Sequence, residues 1–195
     1  MSSVDAFVGF LKDYNQRTNI YSEKAYDRLP FHLRDSELLG HLVVARGNHV
    51  VDIGSGSGLP SVVMAITCPS LRVWAVESAH RKACFLNAAK TALGLNNLEV
   101  VHDDIRAFLR KRPNFALFTA KAFAPLPDII SIVKSRVMGK NGGLFVPISA
   151  RQWDMYRALS GIEGVEIQDQ GTVFQYACYP EGATRDLPAA FHVKH

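Results

Sequence analysis

The stretch Asp52-Ile53-Gly54-Ser55-Gly56-Ser57-Gly58 decides the fold of this chain. It ends a short, apolar and β-branched segment, residues 49–53, and it leads into an apolar segment, residues 59–66. Glycines in such a place let the backbone turn tightly and approach a ligand, because a Cβ atom would block both. The pattern therefore predicts a strand, a glycine-rich turn and a helix with Pro60 in its first turn.

The spacing of the three glycines indicates the kind of ligand. A dinucleotide fingerprint reads Gly-x-Gly-x-x-Gly, and its helix N-terminus receives a pyrophosphate. Here the third glycine comes one residue earlier, which gives Gly-x-Gly-x-Gly, and an acidic residue precedes the first glycine by two positions. This variant is typical of class I methyltransferases, whose cofactor S-adenosylmethionine carries no phosphate. We therefore expect this cofactor to be bound by the turn, at Asp52, Gly54, Ser55, Gly56 and Gly58.

Two further acidic residues follow the next two predicted strands. Glu77 ends the strand expected over residues 71–76, where its carboxylate is placed to accept hydrogen bonds from both ribose hydroxyls. Asp104 follows the strand expected over residues 98–102, and it or the backbone after it is placed to face the adenine. A single acidic residue after a strand is more often a helix N-cap or a solvated turn. Here three acidic residues, Asp52, Glu77 and Asp104, each lie at the carboxyl end of one of three successive predicted strands. Their combination favours cofactor binding.

Segments with strand-like and helix-like periods alternate along the rest of the chain. An amphipathic helix is expected from Val4 to Tyr14, and residues 17–29 are expected to be irregular. Further helices are expected over residues 36–44, 79–93, 127–138 and 152–159. Further strands are expected over residues 115–120 and 144–148, with a hairpin over 165–168 and 173–179.

This alternation predicts an α/β fold. We expect a Rossmann-like class I methyltransferase with a mainly parallel, seven-stranded sheet, a C-terminal antiparallel hairpin and helices on both faces. Residues 1–195 are expected to form one domain, with residues 1–45 as a helical extension packed on it.

Composition excludes several classes of protein. No segment approaches about 18 consecutive apolar residues and residues 1–10 lack a basic leader, so we expect neither membrane insertion nor secretion, and a cytoplasmic location. The three cysteines, Cys68, Cys84 and Cys178, are too widely spaced for a disulfide framework or a zinc site. No histidine pair has a metal-ligand spacing, so no metal is expected. The net charge of +4 modestly favours a polyanionic partner.

The segment after the fourth predicted strand usually selects the target atom, and here it reads Thr119-Ala-Lys-Ala-Phe-Ala124. The chain has neither the Asn/Asp-Pro-Pro-Tyr motif that holds an exocyclic amine nor a Pro-Cys nucleophile. Lys121 is placed to approach the bound methionine or the nucleotide, and Phe123 to stack on a base. A solvated lysine and a core phenylalanine are the simpler interpretations, and the residues alone leave both open.

Four stretches together resemble the bacterial 16S ribosomal RNA guanine-N7 methyltransferases, the RsmG or GidB family. They are Tyr14-Asn-Gln-Arg-Thr-Asn-Ile20 with His32-Leu-Arg-Asp-Ser36, Val51 to Pro60, Glu77-Ser78…Arg81-Lys82…Phe85-Leu86, and Ala120-Lys-Ala-Phe-Ala124. The Leu-Pro ending of the second stretch is more specific than its glycines. The resemblance covers roughly residues 7–148.

The resemblance implies a ribosomal RNA or small-subunit partner, and we expect a monomer. It places cofactor contacts on Gly54, Leu59, Glu77, Ser78, Ile105, Arg106 and Lys121. We expect Lys121, with His32 or Asp35 nearby, to position the guanine. Three residues depart from the family: Ser61 replaces a glycine, Lys121 an arginine and Arg106 a glutamate. We expect a diverged member that begins later than the family does.

Three other functions remain open on the residues alone. The chain is alternatively a methyltransferase for another RNA or a small molecule, although no insertion large enough for a lid domain is visible. A second alternative is a protein that binds S-adenosylmethionine without turnover. A nicotinamide dehydrogenase is disfavoured by the glycine spacing.

Overall fold

The protein is described by a computed structural model, in which five strands form a parallel sheet. The structure describes residues 3–112, 114–137, 142–149 and 151–152, and the backbone of residues 163–169 and 172–178. The parallel strands are β1 (His49–Ile53), β2 (Arg72–Glu77), β3 (Leu98–His102), β4 (Leu117–Ala120) and β5 (Gly143–Ile148). Their order across the sheet is β3-β2-β1-β4-β5.

Two more strands extend the sheet beyond β5. They are β6 (Glu163–Asp169) and β7 (Thr172–Cys178). β7 pairs antiparallel with β5, and β6 pairs antiparallel with β7.

Six α-helices connect or precede these strands in the described part of the chain. They are α1 (Ser3–Asn15), α2 (Leu29–Val44), α3 (Ser61–Thr67), α4 (His80–Leu93), α5 (Ile105–Lys111) and α6 (Leu126–Val133). A 3-10 helix over Glu23–Arg28 joins α1 to α2.

The sheet separates two hydrophobic cores. One contains Phe7, Leu39, Met64 and Phe85, which come from α1, α2, α3 and α4 respectively. The other contains residues of α5 and α6. Along β1, Val50 belongs to the first core whereas Val51 and Ile53 belong to the second, as expected because successive strand side chains point to opposite faces. The expected Rossmann-like parallel sheet with helices on both faces is thereby confirmed.

Several element boundaries differ from the prediction. The helix expected over 36–44 begins at Leu29, because Pro30 lies in its first turn, where its missing N–H costs no hydrogen bond. Within residues 17–29, which were expected to be irregular, Glu23–Arg28 form the 3-10 helix and Leu29 begins α2. The helix expected over 127–138 ends at Val133. The helix expected over 152–159 lies outside the described residues, apart from Gln152.

Helix α5 was missing from the prediction altogether. It has seven residues, which is too short for a helical period to show in the sequence, and Asp104 starts it as an N-cap whose side chain accepts a hydrogen bond from the Ala107 N–H. Of the cysteines, Cys68 and Cys84 are free thiols, and the side chain of Cys178 lies outside the described residues. None of the helices described combines the length and apolarity that crossing a bilayer requires.

Candidate cofactor and methyl-transfer site

The candidate site lies where the strand order of the sheet reverses. From β1 the chain runs outward to β2 and β3 on one side, and β4 and β5 lie on the other. Ile53 at the end of β1 pairs in register with Ala120 at the end of β4. The glycine turn after β1 and Lys121 after β4 therefore start side by side. Ligands of open α/β sheets bind in the crevice at such a reversal.

The glycine turn has a backbone conformation that other residues rarely adopt. The φ angles of Gly54, Gly56 and Gly58 are 69°, 54° and 80°. The N–H groups of Gly54 and Ser55 both donate to the carbonyl of Val76, at 2.9 and 3.2 Å. These bonds tie the turn to the neighbouring strand β2. The predicted need for glycine here is confirmed in the backbone geometry.

Glu77 fixes the middle of the turn through its carboxylate. Oε2 accepts a hydrogen bond from the Gly56 N–H at 2.9 Å, and Oε1 accepts one from the Ala79 N–H at 2.8 Å. The side chain is 6% exposed, so water competes little for these charge-assisted bonds. A carboxylate has about four lone-pair positions, so two remain for ribose hydroxyls. Ser78, the next residue, is exposed.

Asp52 is a buried carboxylate beneath the turn. Oδ1 accepts a hydrogen bond from the Thr119 hydroxyl at 3.0 Å, which joins β1 to β4. Burial raises the pKa of Asp52 to about 6, although neighbouring hydroxyl groups, Thr119 among them, act in the opposite direction. The hydroxyl and the backbone N–H of Ser61, at the start of α3, face the same carboxylate and likewise lower its pKa. Thr119 begins the segment Thr119-Ala-Lys-Ala-Phe-Ala124, and no role was predicted for it there. Its contact with Asp52 follows from the pairing of β1 with β4, which the sequence does not reveal.

The three residues expected to position the substrate come together. Lys121 Nζ lies 2.8 Å from Asp35 Oδ2, with the two side chains 14% and 3% exposed. The same ammonium donates to the backbone carbonyl of His32 at 3.4 Å. Lys121 is thus neither a solvated surface lysine nor a free cation. Its charge is held at the end of β4 by helix α2.

His32 faces this ion pair in its neutral form at neutral pH. Burial, together with the nearby charge of Lys121, lowers the pKa of His32 to about 4, while Asp35 acts in the opposite direction. Its Nδ1 atom is buried without a hydrogen-bond partner in the described structure. A neutral imidazole can donate or accept a hydrogen bond at this atom, depending on its tautomer.

Phe123 covers the first glycine of the turn. Ala122 has a φ of 52°, the one positive φ among the described non-glycine residues, and it directs the chain back toward Gly54. A Cβ atom on Gly54 would lie 2.4 Å from Cδ2 of the Phe123 ring. The ring is nevertheless 40% exposed. Phe123 is therefore not a core residue, and no feature of the sequence indicates its contact with Gly54.

The remaining predicted contacts lie at the start of α5. The Asp104 carboxylate accepts a hydrogen bond from the Ala107 N–H at 3.0 Å, so this side chain acts as a helix cap. Ile105 is buried and Arg106 is exposed. An adenine contact here therefore falls to the backbone of Ile105 and Arg106, and it stays a prediction. Leu59 is buried at the end of the glycine turn.

Comparison of the sequence with known families and proteins identifies close relatives. A family model described as rRNA small subunit methyltransferase G matches residues 1–158. The ribosomal RNA small subunit methyltransferase G of Chromobacterium violaceum is 33% identical over 130 residues, 66% of this chain and 61% of that protein. The protein of the same name from Paracoccus denitrificans is 32% identical over 148 residues, 75% of each chain. The match with the Chromobacterium protein thus spans less than two thirds of its length.

Solved structures share the fold. An O-methyltransferase from Bacillus cereus, solved in complex with SAH, superposes with a TM-score of 0.61 at 14% identity, covering 91% of this chain and 90% of that one. A methyltransferase from Geobacter sulfurreducens gives a TM-score of 0.62 at 15% identity, with coverage of 90% and 89%. At such low identity these structures show a common fold and no more.

Proposed function

Because the chain belongs to the rRNA small subunit methyltransferase G family, we propose that it methylates guanine N7 in 16S rRNA of the small ribosomal subunit, with S-adenosylmethionine as methyl donor. One observation carries the proposal. The Glu77-anchored glycine turn and the Lys121–Asp35 ion pair follow neighbouring strands at the reversal of the sheet. Small subunits are made in the cytoplasm, so a cytoplasmic enzyme is implied. A monomeric state stays a prediction.

The residues of the turn fit S-adenosylmethionine better than a dinucleotide. The positive φ angles of the three glycines favour residues without a Cβ, so the turn adds no side chain of its own at these positions, and at Gly56 the nearest atom to a Cβ would be a backbone oxygen at 3.7 Å. Glu77 keeps lone pairs free for the two ribose hydroxyls. When bound, S-adenosylmethionine supplies an electrophilic methyl group on a positively charged sulfur.

Guanine N7 requires little chemical assistance from the protein. This nitrogen carries a lone pair at neutral pH, so no general base is needed. The protein must instead align N7 with the methyl carbon, at about 3–3.5 Å, and with the departing sulfur behind it. The absence of a strong base among His32, Asp35 and Lys121 suits this task, because Lys121 and Asp35 are ion-paired and the pKa of His32 is about 4.

We assign positioning roles to the groups around Lys121. The ammonium, held by Asp35 and the His32 carbonyl, is placed to donate to the guanine carbonyl oxygen, and the half-exposed Phe123 ring is placed to stack on the base. Lysine keeps the charge of the family's arginine but lacks its planar fork. One directed hydrogen bond, rather than a bidentate pair, is therefore expected at residue 121.

The test combines methyl transfer with nucleoside analysis. The purified protein is incubated with S-adenosylmethionine and small subunits from a strain that lacks the gene, and the rRNA nucleosides are examined by mass spectrometry. We expect 7-methylguanosine, a large loss for Lys121→Ala, and substantial activity for Lys121→Arg. Circular dichroism checks that each variant is folded, and S-adenosylmethionine affinity separates a contact of Lys121 with the cofactor from one with the guanine.

Three outcomes contradict parts of the proposal. Full activity of Lys121→Ala would remove Lys121 from the substrate site. A wild-type protein that binds S-adenosylmethionine but releases no S-adenosylhomocysteine with any RNA would be a binding protein without turnover. Methylation at another atom, another RNA or a small molecule would refute the guanine-N7 assignment.

A further inference from the structure

A polar groove lies beside the candidate cofactor site, between the loop after α1 and the first turn of α4. Its volume is about 520 Å³. Its charged lining consists of three cations, Arg17, Lys24 and Arg81, and one carboxylate, Glu23. Asn15, Gln16, Thr18, Asn19 and Ser22 complete the lining. The groove is therefore polar and carries an excess of positive charge.

The three cations are available to a ligand. Arg17, Lys24 and Arg81 are exposed, and the described residues place no carboxylate within salt-bridge distance of any of them. Arg81 donates only to the backbone carbonyl of Asn19, at 3.2 Å, which draws α4 and the loop together. Arg72, Lys90, Lys111 and Lys121 are each paired with a carboxylate, whereas other exposed cations of the described chain, such as Lys12 and Arg110, form no salt bridge. The groove differs from the rest of this surface in that three such cations line one polar recess.

The loop that forms one wall is rigidly built. Asn15 is buried, and its Oδ1 accepts hydrogen bonds from the N–H groups of Ile20 and Tyr21, at 2.8 and 3.0 Å. Its Nδ2 donates to the Tyr21 carbonyl at 2.8 Å. A single side chain therefore closes the loop over residues 16–21. A groove that is already ordered loses less entropy when it binds a ligand.

A second groove continues the first and has aromatic walls. It has a volume of about 620 Å³, shares Gln16, Arg17 and Thr18 with the first, and adds Phe10, Tyr14 and Asp13. Phe10 and Tyr14 are half-buried, with ring centroids 5.7 and 5.1 Å from the buried Phe85 ring. Cations beside fixed aromatic rings are the combination that proteins use for single-stranded nucleic acid, because phosphates pair with the cations and bases stack on the rings.

We infer that this double groove binds the sugar-phosphate backbone of a single-stranded segment of the substrate RNA, with Arg17, Lys24 and Arg81 on phosphates. The inference rests on the proposed function. Arg81 lies in the first turn of α4, four residues after Glu77, so an RNA strand in the groove passes beside the ribose end of the cofactor site. The target base then lies beside Lys121, and the groove holds the neighbouring nucleotides of the same RNA strand.

The experiment measures the salt dependence of RNA binding. A labelled single-stranded RNA is titrated with wild type and with the double variant Arg17→Gln/Arg81→Gln, by fluorescence anisotropy, between about 50 and 200 mM salt. Each lost phosphate contact lowers the slope of log K against log salt by about 0.7 for a single strand, so we expect a decrease of about 1.4. The matched control is Arg110→Gln/Lys134→Gln, which removes two exposed charges that form no salt bridge among the described residues and lie outside both grooves, and it is expected to keep the wild-type slope.

Two further readouts separate this inference from the proposed function. Calorimetry with S-adenosylmethionine is expected to give the same affinity for all three proteins, because neither double variant touches the glycine turn or Glu77. An unchanged salt slope in Arg17→Gln/Arg81→Gln overturns the groove assignment, even if the wild type methylates small subunits. An equal loss of slope in the control also overturns it, since binding would then follow net charge alone. Loss of methylation in the wild type, with the expected slopes, refutes the proposed function instead.

Discussion

At the scale of single residues, the Glu77 carboxylate connects the glycine turn to the start of α4. It accepts hydrogen bonds from the N–H groups of Gly56 and Ala79 and is almost completely buried. The variant Glu77→Gln removes the charge and leaves one amide group where an acceptor is needed. A hydrogen bond to a charged group contributes about 1.5–3 kcal/mol, so we expect S-adenosylmethionine affinity to fall roughly 10- to 100-fold, as measured by calorimetry.

The matched control for this change is Glu99→Gln. Glu99 lies in β3 and forms surface ion pairs with Arg72 and Lys90, away from the glycine turn. Surface pairs contribute at most about 1 kcal/mol, and S-adenosylmethionine affinity is expected to stay unchanged. Equal affinities of Glu77→Gln and wild type would show that the cofactor is held elsewhere.

Asp52 makes the stability of the fold depend on pH. Because burial raises the pKa of its carboxyl to about 6 from the ordinary 3.8, the folded protein holds a proton that the unfolded chain has released between these values. The stability contributed by protonated Asp52 is thus fully present below pH 3.8 and is lost as the pH rises through about 6. This loss is on the order of 3 kcal/mol.

The variant Asp52→Asn is expected to remove this dependence. Its free energy of unfolding, measured by urea denaturation, should rise relative to wild type as the pH increases from about 4 to 7. Asp103→Asn is the control, because a hydrogen bond from Lys111 lowers the pKa of Asp103 below its ordinary 3.8, so the stability from that carboxylate is lost only at lower pH and its difference from wild type should stay nearly constant from about pH 4 to 7. A constant difference between wild type and Asp52→Asn across this range would mean that Asp52 has an ordinary pKa.

At the scale of secondary-structure elements, two glycines provide a matched pair. Gly58 ends the glycine turn with a φ of 80°, and a Cβ there would lie 2.5 Å from Cγ2 of Val62 in α3. Gly9 lies within α1, where a Cβ would meet no atom within 4 Å. Gly58→Ala is expected to destabilise the protein by at least about 1–2 kcal/mol, and Gly9→Ala to stabilise it by about 0.5–1 kcal/mol. Urea denaturation measures both, and a Gly58→Ala variant as stable as wild type would contradict the strain described here.

Elements whose ends are marked by distinctive residues were predictable from the sequence, whereas a short element and an element with an ambiguous first residue were not. Neighbouring residues mark where β1 ends and the glycine turn begins. Both bounds of β1, His49–Ile53, were therefore predicted correctly. Likewise Gly94, with a φ of 64°, ends α4 where the sequence indicated. In contrast, α5 has seven residues and a cap that resembles a ligand-binding carboxylate. The start of α2 depended on recognising Pro30 as a first-turn residue rather than a breaker.

At the scale of the whole molecule, the sheet brings together residues that no sequence spacing connects. Lys121 contacts the carbonyl of His32, 89 residues earlier, because α2 packs beside the end of β4. The family resemblance suggested that these residues act together, but the ion pair with Asp35 and the low pKa of His32 depend on burial, which the sequence does not give. The Phe123 contact with Gly54 likewise requires the positive φ of Ala122.

The same assembly predicts how the whole molecule responds to its cofactor. The glycine turn, Glu77 and the start of α5 meet only in the folded sheet, so S-adenosylmethionine should bind the folded chain and not the unfolded one. At a concentration of about 100 times Kd this linkage stabilises the fold by about 2.7 kcal/mol, which raises Tm by roughly 5–10 °C for a chain of this size. NAD at the same concentration should leave Tm unchanged, because the third glycine is too early to seat a pyrophosphate. Differential scanning fluorimetry of wild type and Glu77→Gln measures both ligands. A larger shift with NAD than with S-adenosylmethionine would instead favour a dehydrogenase, and an equal shift in Glu77→Gln would separate the cofactor from the glycine turn.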